Sequence, residues 1–436
     1  MNDLNLALFI VAATILVLGV VSGYVKNRLW LSEPLLALLV GIVIGPAVLD
    51  LVSLDLTQDR ELEWLHQVAR VTLSMSVMGA ALRLPSAYEW RHWREIAVIL
   101  GIGMLLMWFA GSLLFAWVLG VPALTAMLIA AIVAPTDPVL SDSIITGRTA
   151  EESVPRRMRD SLSMESGAND GLALLIVLLP IALLTRPPAE AWSHWFEVVL
   201  LWEVVGALVL GVASGWLAGI CWDWAHRQPF SEKGSLVTVG LSLTLAVLSG
   251  ATLIDIDGIL AVFVAGLTFN RYVEKRESQL EDLQESLGRF FDLPVFILFG
   301  LVLPWSEWLA LGAWPIAGVL LVLIVRRIPA WLVLQRWLPS LHDRRDALFN
   351  GWFGPIGIAA LFYATHAERS TDQPIVWTVA SLVIFASIVV HGITATPLCR
   401  AFGARSIAEA RRASGAPRRE RPGAGEAAAS HRVEPQ

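Results

Sequence analysis

The apolar residues of this chain fall into blocks separated by short polar segments. Thirteen blocks approach or exceed the roughly 20 residues a helix needs to cross the hydrocarbon core of a bilayer. They lie at 4–24, 31–53, 63–83, 95–119, 121–146, 160–185, 196–222, 234–253, 257–273, 288–304, 312–335, 346–366 and 374–399. The block at 160–185 begins polar and that at 288–304 is short. The pattern predicts an all-α polytopic membrane protein of about 13 transmembrane helices. The opening segment lacks a basic stretch and a convincing cleavage site, so it reads as a first span and not as a signal peptide. Two polar segments fall outside the spans. Residues 274–287, EKRESQLEDLQESL, read as an amphipathic connector at the membrane surface. Residues 403–436, rich in Ala, Arg, Glu, Gly and Pro, read as a disordered, solvated tail.

Charge tests the count. Lys26 and Arg28, then Arg83, Arg91 and Arg94, then Arg148, Arg156, Arg157 and Arg159 fall on alternate loops. So do Arg227 and Lys233, then Arg271, Lys275, Arg276 and Arg289, then Arg336, Arg344 and Arg345, and the arginines from Arg400 onward. The opposite loops hold only Arg60, Arg186 and Arg369. The positive-inside rule then places the N-terminus outside and the C-terminus in the cytoplasm of a cell whose cytoplasmic membrane holds the protein. An odd number of spans requires the same.

Composition agrees: 56% of residues are hydrophobic, 16% are charged, and mean hydropathy is +0.64. These values are far from those of a soluble domain. The net charge of −6 says little, because the charges are segregated by loop. Cys221 and Cys399 read as apolar fillers, not as a disulfide or metal site. The eight histidines show no ligand spacing, and no glycine loop precedes a P-loop lysine, which argues against ATP-driven transport. Tryptophans near span ends (Trp30, Trp64, Trp90, Trp93, Trp305, Trp308) suit interfacial belts.

Chemistry enters where the apolar blocks are interrupted. APTDP at 134–138 sets Asp137 between two prolines, and an Asp at the centre of a spanning helix costs about 2.5–3.5 kcal/mol on insertion scales. The prolines also break the helix and free the carbonyls of Ala134, Pro135 and Thr136. Broken backbone at membrane depth is tolerated where it lines a polar cavity. In the next span, SMESGANDG places Glu165 and Asn169 on one helix face and Ser166 and Asp170 on the adjacent one, beside the small residues Gly167, Ala168 and Gly171. Hard cations want oxygen ligands, so Thr136, Asp137, Ser166 and Asp170 form a candidate cage for a sodium ion. LIVRRIPAW supplies Arg326 and Arg327; one can neutralise Glu165 while the other reaches the cytoplasmic headgroups. GWFGPIG at 351–357 is a second break, at the matching position of the inverted triplet of spans 11–13. Two interrupted helices at corresponding positions are the sequence sign of an inverted-repeat transporter.

SEPLLALLVGIVIGP, APTDPVL, ESGANDG, FVAGLTFN, the arginine–proline pair of span 11 and GWFGPIG together resemble the monovalent cation:proton antiporter family, the bacterial NhaP-type sodium/proton exchangers, over roughly 1–402. The resemblance implies a sodium/proton antiporter-like fold in a homodimer. Residues 1–90 and 191–309 would be scaffold and dimerisation helices, and 91–190 and 310–402 a moving core. It implies that Asp170 exchanges the cation for a proton, that Thr136, Asp137 and Ser166 help hold the ion, and that Glu165 pairs with a span-11 arginine, Arg327 preferred by spacing over Arg326. Asn169, where electrogenic relatives carry a second Asp, would mark electroneutral exchange. Ile356 replaces an arginine of many relatives, and span 3 lacks their acidic residue.

The function implied is exchange of Na+ or Li+ for H+, with no cofactor beyond the transported ions and no nucleic-acid partner. Exchange of K+ on the same scaffold stays open, because ligand types do not set cavity size. Sodium-coupled uptake of an organic solute is the alternative of a different class. Outside the cage, Glu203 is divided between a scaffold role and a second ion site. Asp255 and Asp257 read by default as a solvated outer turn, with drawing cations toward a funnel as the alternative, and His391 reads as a satisfied core histidine.

Overall fold

The computed structural model describes residues 2–52, 56, 59–228, 236–273 and 277–413, and the regular structure among them is helical. The helices are α1 (Asn2–Tyr24), α2 (Glu33–Ile44), α3 (Asp59–Arg83), α4 (Trp93–Leu119), α5 (Ala123–Ile132), α6 (Pro138–Ile145), α7 (Arg156–Thr185) and α8 (Pro188–Arg227). They continue as α9 (Leu236–Leu253), α10 (Gly258–Val273), α11 (Glu277–Leu301), α12 (Trp305–Leu311), α13 (Ala313–Trp337), α14 (Arg344–Trp352), α15 (Ile358–Ser370) and α16 (Pro374–Ala413). Every apolar block of the sequence falls on one of these helices or on a broken pair. Among the described residues six helices are long and apolar enough to cross a membrane. The pair Phe290–Leu301 and Trp305–Leu311, bent by 63°, makes a seventh if it is one span.

Three boundaries differ from the sequence reading. The block at 31–53 is helical only to Ile44. Gly45 is extended, as a residue before proline prefers, and the chain folds back with Asp50 N donating to the Gly45 carbonyl (2.9 Å). The residues from Glu277 do not form a separate surface connector, because the helix that begins there runs unbroken to Leu301; residues 274–276 lie outside the described residues. The last helix continues past the predicted span to Ala413. Phe402 packs on Phe349 at 4.4 Å and Gly403 lies against Ser153, so the start of the predicted tail is docked helix. Residues 414–436 of that tail lie outside the described residues.

Small residues set the packing. α8 closes on α10 through Gly211, Gly215 and Gly219, which meet Ala261, Ala265 and Tyr272. Gly41 and Gly300 bring α2 and α11 together. Gly171 lets the backbone of Leu260 in α10 approach α7, so the small face of SMESGANDG is used as expected. α7 and α16 are mostly buried within the fold, 67% and 78% over their apolar windows, while α8 is peripheral at 22%.

The α8–α10 seam gives a direct test. A Cβ on Gly211 would lie 2.6 Å from the Ala261 carbonyl, whereas Gly250 has nothing within 4 Å. Overpacking costs about 1–3 kcal/mol, against about 0.8–1.0 kcal/mol gained when Ala replaces a helical Gly. Gly211→Ala should therefore lower the melting temperature in detergent and Gly250→Ala should hold or raise it. Equal behaviour of the two would mean that the seam is not close-packed.

Candidate functional site

Two helices are unwound at the same depth of the fold. The chain leaves helical conformation between α5 and α6, at 133–137, and again between α14 and α15, at 353–357. Prolines at 135 and 138, and the Gly-Pro-Ile-Gly run at 354–357, account for both breaks. The two unwound segments touch: Asp137 N donates to the Pro355 carbonyl at 2.9 Å. Each break exposes carbonyls at the end of one half-helix and N–H groups at the start of the other.

One arginine satisfies the carbonyls. Arg326, 2% exposed, donates from one guanidinium nitrogen to Val133, Ala134 (3.2 Å) and Pro135 (3.2 Å), and from another to Gly354. This overturns the expectation that the arginine not paired with Glu165 reaches the cytoplasmic headgroups. The freed carbonyls offer a planar, many-donor group its acceptors in the interior. One carboxylate satisfies the N–H groups. Asp137 Oδ1 accepts from Val139 (2.8 Å) and Leu140 (3.0 Å), capping α6, and Oδ2 accepts from Ile358 at the start of α15. Gly357 is required here, because a Cβ at that position would lie 2.7 Å from Asp137 Cγ. Asp137 was expected to help hold an ion. Its oxygens accept from backbone donors of both half-helices, so it braces the crossing, and Oδ2, with one such bond, keeps acceptor capacity.

The polar run of α7 lies against the first break. Asn169 Nδ2 donates to Thr136 Oγ1 (2.9 Å) and Asn169 Oδ1 accepts from Thr136 N (3.3 Å). Ser166 donates to its own helix at Leu162 (2.9 Å), which leaves its oxygen as an acceptor. Asp170 is different from every other group in the cluster. It is fully buried, and among the described residues neither carboxylate oxygen has a hydrogen-bond partner. It lies within electrostatic reach of Asp137. Thus Asn169 of α7 is bonded to Thr136 of the first break, Asp137 is the next residue along that break, and Ser166 and Asp170 flank Asn169 on α7. A buried, unpartnered carboxylate is costly unless a proton or cation neutralises it. Neutral oxygens at Thr136 and Ser166 and the anion at Asp170 are a donor set that suits a hard monovalent cation.

Glu165 pairs with Arg327, which settles the choice between the two arginines. The pair is bidentate, with Nη2 to Oε2 at 2.7 Å, and both side chains are buried. Arg327 also donates through Nε to the Asn350 carbonyl (2.9 Å) and stacks over Trp331 at 4.2 Å. Sequence reasoning missed two further groups. Tyr363 donates to the backbone carbonyl of Asp170 (2.5 Å), and Ser387 Oγ accepts from Ile356 N (2.6 Å) inside the second break. Each sits within a local apolar run, IAALFYA and IFASIVV, where nothing in the pattern marks it. His391 contacts the carbonyls of Trp352 and Ser387, each at 3.0 Å, and is a core histidine with partners.

Residues 10–401 match the family described as sodium/hydrogen exchanger, transmembrane. The Na(+)/H(+) antiporter of Saccharomyces cerevisiae is 28% identical over 418 residues, covering 86% of this chain and 41% of that protein. The K(+)/H(+) antiporter NhaP2 of Shewanella sp. strain MR-4 is 23% identical over 399 residues, covering 90% and 66%. The chain spans about half the length of the first curated relatives it matches. The structure of the sodium proton antiporter MjNhaP1 from Methanocaldococcus jannaschii superposes with a TM-score of 0.69 at 18% identity, over 92% of this chain and 99% of that one, so the two share a fold.

The buried pair yields a stability test. Removing one partner of such a pair costs about 3–5 kcal/mol, because the other charge is left uncompensated. Glu165→Ala and Arg327→Ala should each lower the melting temperature in detergent, and the double variant should lose less than the sum. Simple additivity would show that the two side chains act independently.

Proposed function

The chain belongs to the sodium/hydrogen exchanger family of transmembrane proteins, and on that premise we propose that it exchanges Na+ or Li+ for H+ by competition at Asp170. It is a multi-pass membrane protein. The observation that carries the reading is the Asp170 carboxylate, fully buried and without a partner among the described residues, next to Asn169, which bonds Thr136 of the broken helix. Bound H+ or bound cation neutralises it, and the two exclude one another. An empty, charged Asp170 in a closed site carries a desolvation penalty of several kcal/mol. Each 1.4 kcal/mol suppresses an unloaded crossing about tenfold. Coupling then needs no gate beyond that penalty: only the loaded site changes sides.

Thr136 and Ser166 supply neutral oxygens to the cation in this reading. Asn169 holds Thr136 in place, Asp137 and Arg326 keep the crossing assembled, and Glu165 with Arg327 anchors α7 to α13. Residues 91–190 and 310–402 form the moving core, carried against a scaffold of 1–90 and 191–309 that pairs with a second copy. The membrane is the cytoplasmic one, with the N-terminus outside. The relatives named for K(+)/H(+) exchange support K+ as the second reading on the same site.

The test is dissipation of a preset pH gradient in proteoliposomes on adding Na+, Li+ or K+. Asp170→Asn should abolish the response to every cation while the melting temperature stays near that of the unaltered protein. Near-normal turnover in that variant would remove Asp170 from the cycle.

Exchange should also be electroneutral. With Asp137 committed to backbone N–H groups and Glu165 to Arg327, one carboxylate is left to trade one cation for one proton. An uncompensated charge would couple to voltage by about 2.3 kcal/mol per 100 mV. The sodium gradient at which proton flux reverses should therefore be the same with the vesicles clamped at 0 and at −100 mV. A shift of the size of one charge would require a second titrating carboxylate.

A further inference from the structure

The acidic residues around 255 are arranged differently from the solvated turn expected. Asp255 is exposed, in left-handed conformation (φ 52°). Asp257, two residues on, is only 6% exposed. The loop is pinned onto α8: Asp257 N donates to the Glu203 carbonyl (3.3 Å) and Trp202 Nε1 donates to the Ile254 carbonyl (3.0 Å). Asp257 Oδ1 accepts from Ile259 (2.9 Å) and Leu260 (3.0 Å) and so caps α10. Its Oδ2 is buried with no hydrogen-bond partner among the described residues.

An N-cap needs one acceptor oxygen, and Ser, Thr or Asn provides it without charge. Capping therefore explains Oδ1 and leaves Oδ2, a second buried oxygen of a carboxylate, unexplained and costly. The surroundings point to what it meets. Glu203, half-buried, lies within electrostatic reach of both Asp255 and Asp257. The Tyr363 hydroxyl donates to the Asp170 carbonyl (2.5 Å). Leu260, which Asp257 caps, packs against Gly171, the residue after Asp170. Carboxylates thus lie at exposed Asp255, half-buried Glu203 and buried Asp257, and the helix start that Asp257 caps is the one that meets α7 beside Asp170.

We propose that Asp257, together with Glu203, is a second station for the transported monovalent cation, on the route between the 254–257 loop and Asp170. The proposal rests on the antiport reading above. Two carboxylates attract a hard cation, and Oδ2 is free to bind it while Oδ1 stays on the helix cap. The station is a waypoint, because an ion that is to move on must be held weakly and over several sites.

Asp257→Asn separates the two roles, since its amide oxygen still caps α10 while the charge is gone. In proteoliposomes this variant and Glu203→Gln should raise the half-saturating Na+ concentration roughly tenfold, as expected for losing a unit charge a few ångström from the ion. The maximal rate should fall less than the half-saturation rises, and the melting temperature of Asp257→Asn should be unchanged. An unchanged half-saturation in Asp257→Asn, with loss of stability only in Asp257→Ala, would make Asp257 a cap and nothing more. A second readout does not depend on transport. Detergent-solubilised Asp170→Asn protein is treated with dicyclohexylcarbodiimide, and labelling of Asp257 is mapped by mass spectrometry in choline, sodium, lithium and potassium chlorides. Labelling should fall in at least one alkali chloride relative to choline. Equal labelling in all four overturns the station whether or not the unaltered protein transports. Absence of cation-driven proton flux in the unaltered protein would instead overturn the antiport reading and leave the labelling to decide on Asp257.

Discussion

The fold depends on how two broken helices are held at one crossing. Breaking a helix in the interior leaves N–H groups at one new end and carbonyls at the other, and neither can be left without partners in a water-poor region. Here two side chains of opposite charge serve both breaks. Asp137 takes the N–H groups of α6 and α15, and Arg326 takes the carbonyls that follow α5 and α14. Each charge sits where the half-helix dipoles favour it. The anion that seems out of place in an apolar stretch is therefore matched by a buried cation from another helix, and the crossing is electrically closed.

That closure determines which acid can do chemistry. Three carboxylates of the central region are buried: Asp137, Glu165 and Asp170. Asp137 is held by backbone donors and Glu165 by the fork of Arg327. Only Asp170 of the three is left with unpartnered oxygens. The difference lies in tertiary partners and not in residue type or depth. A sequence cannot assign roles among these acids by listing them; their partners must be known.

What was legible in the sequence follows from this. The apolar blocks, the two proline- and glycine-marked breaks and the polar face of α7 are local patterns, and each appears where the pattern put it. The Glu165–Arg327 pair was legible because few buried cations exist to choose from. Arg326 was misread because its partners are main-chain carbonyls, which carry no sequence signature. Asp257 was misread for a related reason. Two acids two residues apart in a turn look alike, yet the turn at Asp255 leaves one outside and rotates the other onto the end of α10. Helix ends were misjudged where a following proline, as at 46, or a docked continuation, as at Gly403, decides the boundary.

The distribution of polar links along α3 bears on how the crossing can move. At the start of α3, Glu63 pairs with Arg369 (2.5 Å) and His66 bonds Thr365 (3.0 Å), both on α15. At its end, Arg83 pairs with Asp142 on α6 (3.3 Å). These links are about 20 residues apart, or about 30 Å along a helix. On the other side, α7 meets α10 at Gly167 and Gly171 through Phe263 and Leu260, a contact of carbon on carbon. Apolar contacts are non-directional, so a seam of this kind can slide by small steps without losing a specific bond. Hydrogen bonds and ion pairs cannot, because they weaken steeply with distance and angle. The half-helices α6 and α15, which Asp137 joins, are thus tied to opposite ends of α3 by directional polar links, while α7 meets α10 beside Asp170 through an apolar seam.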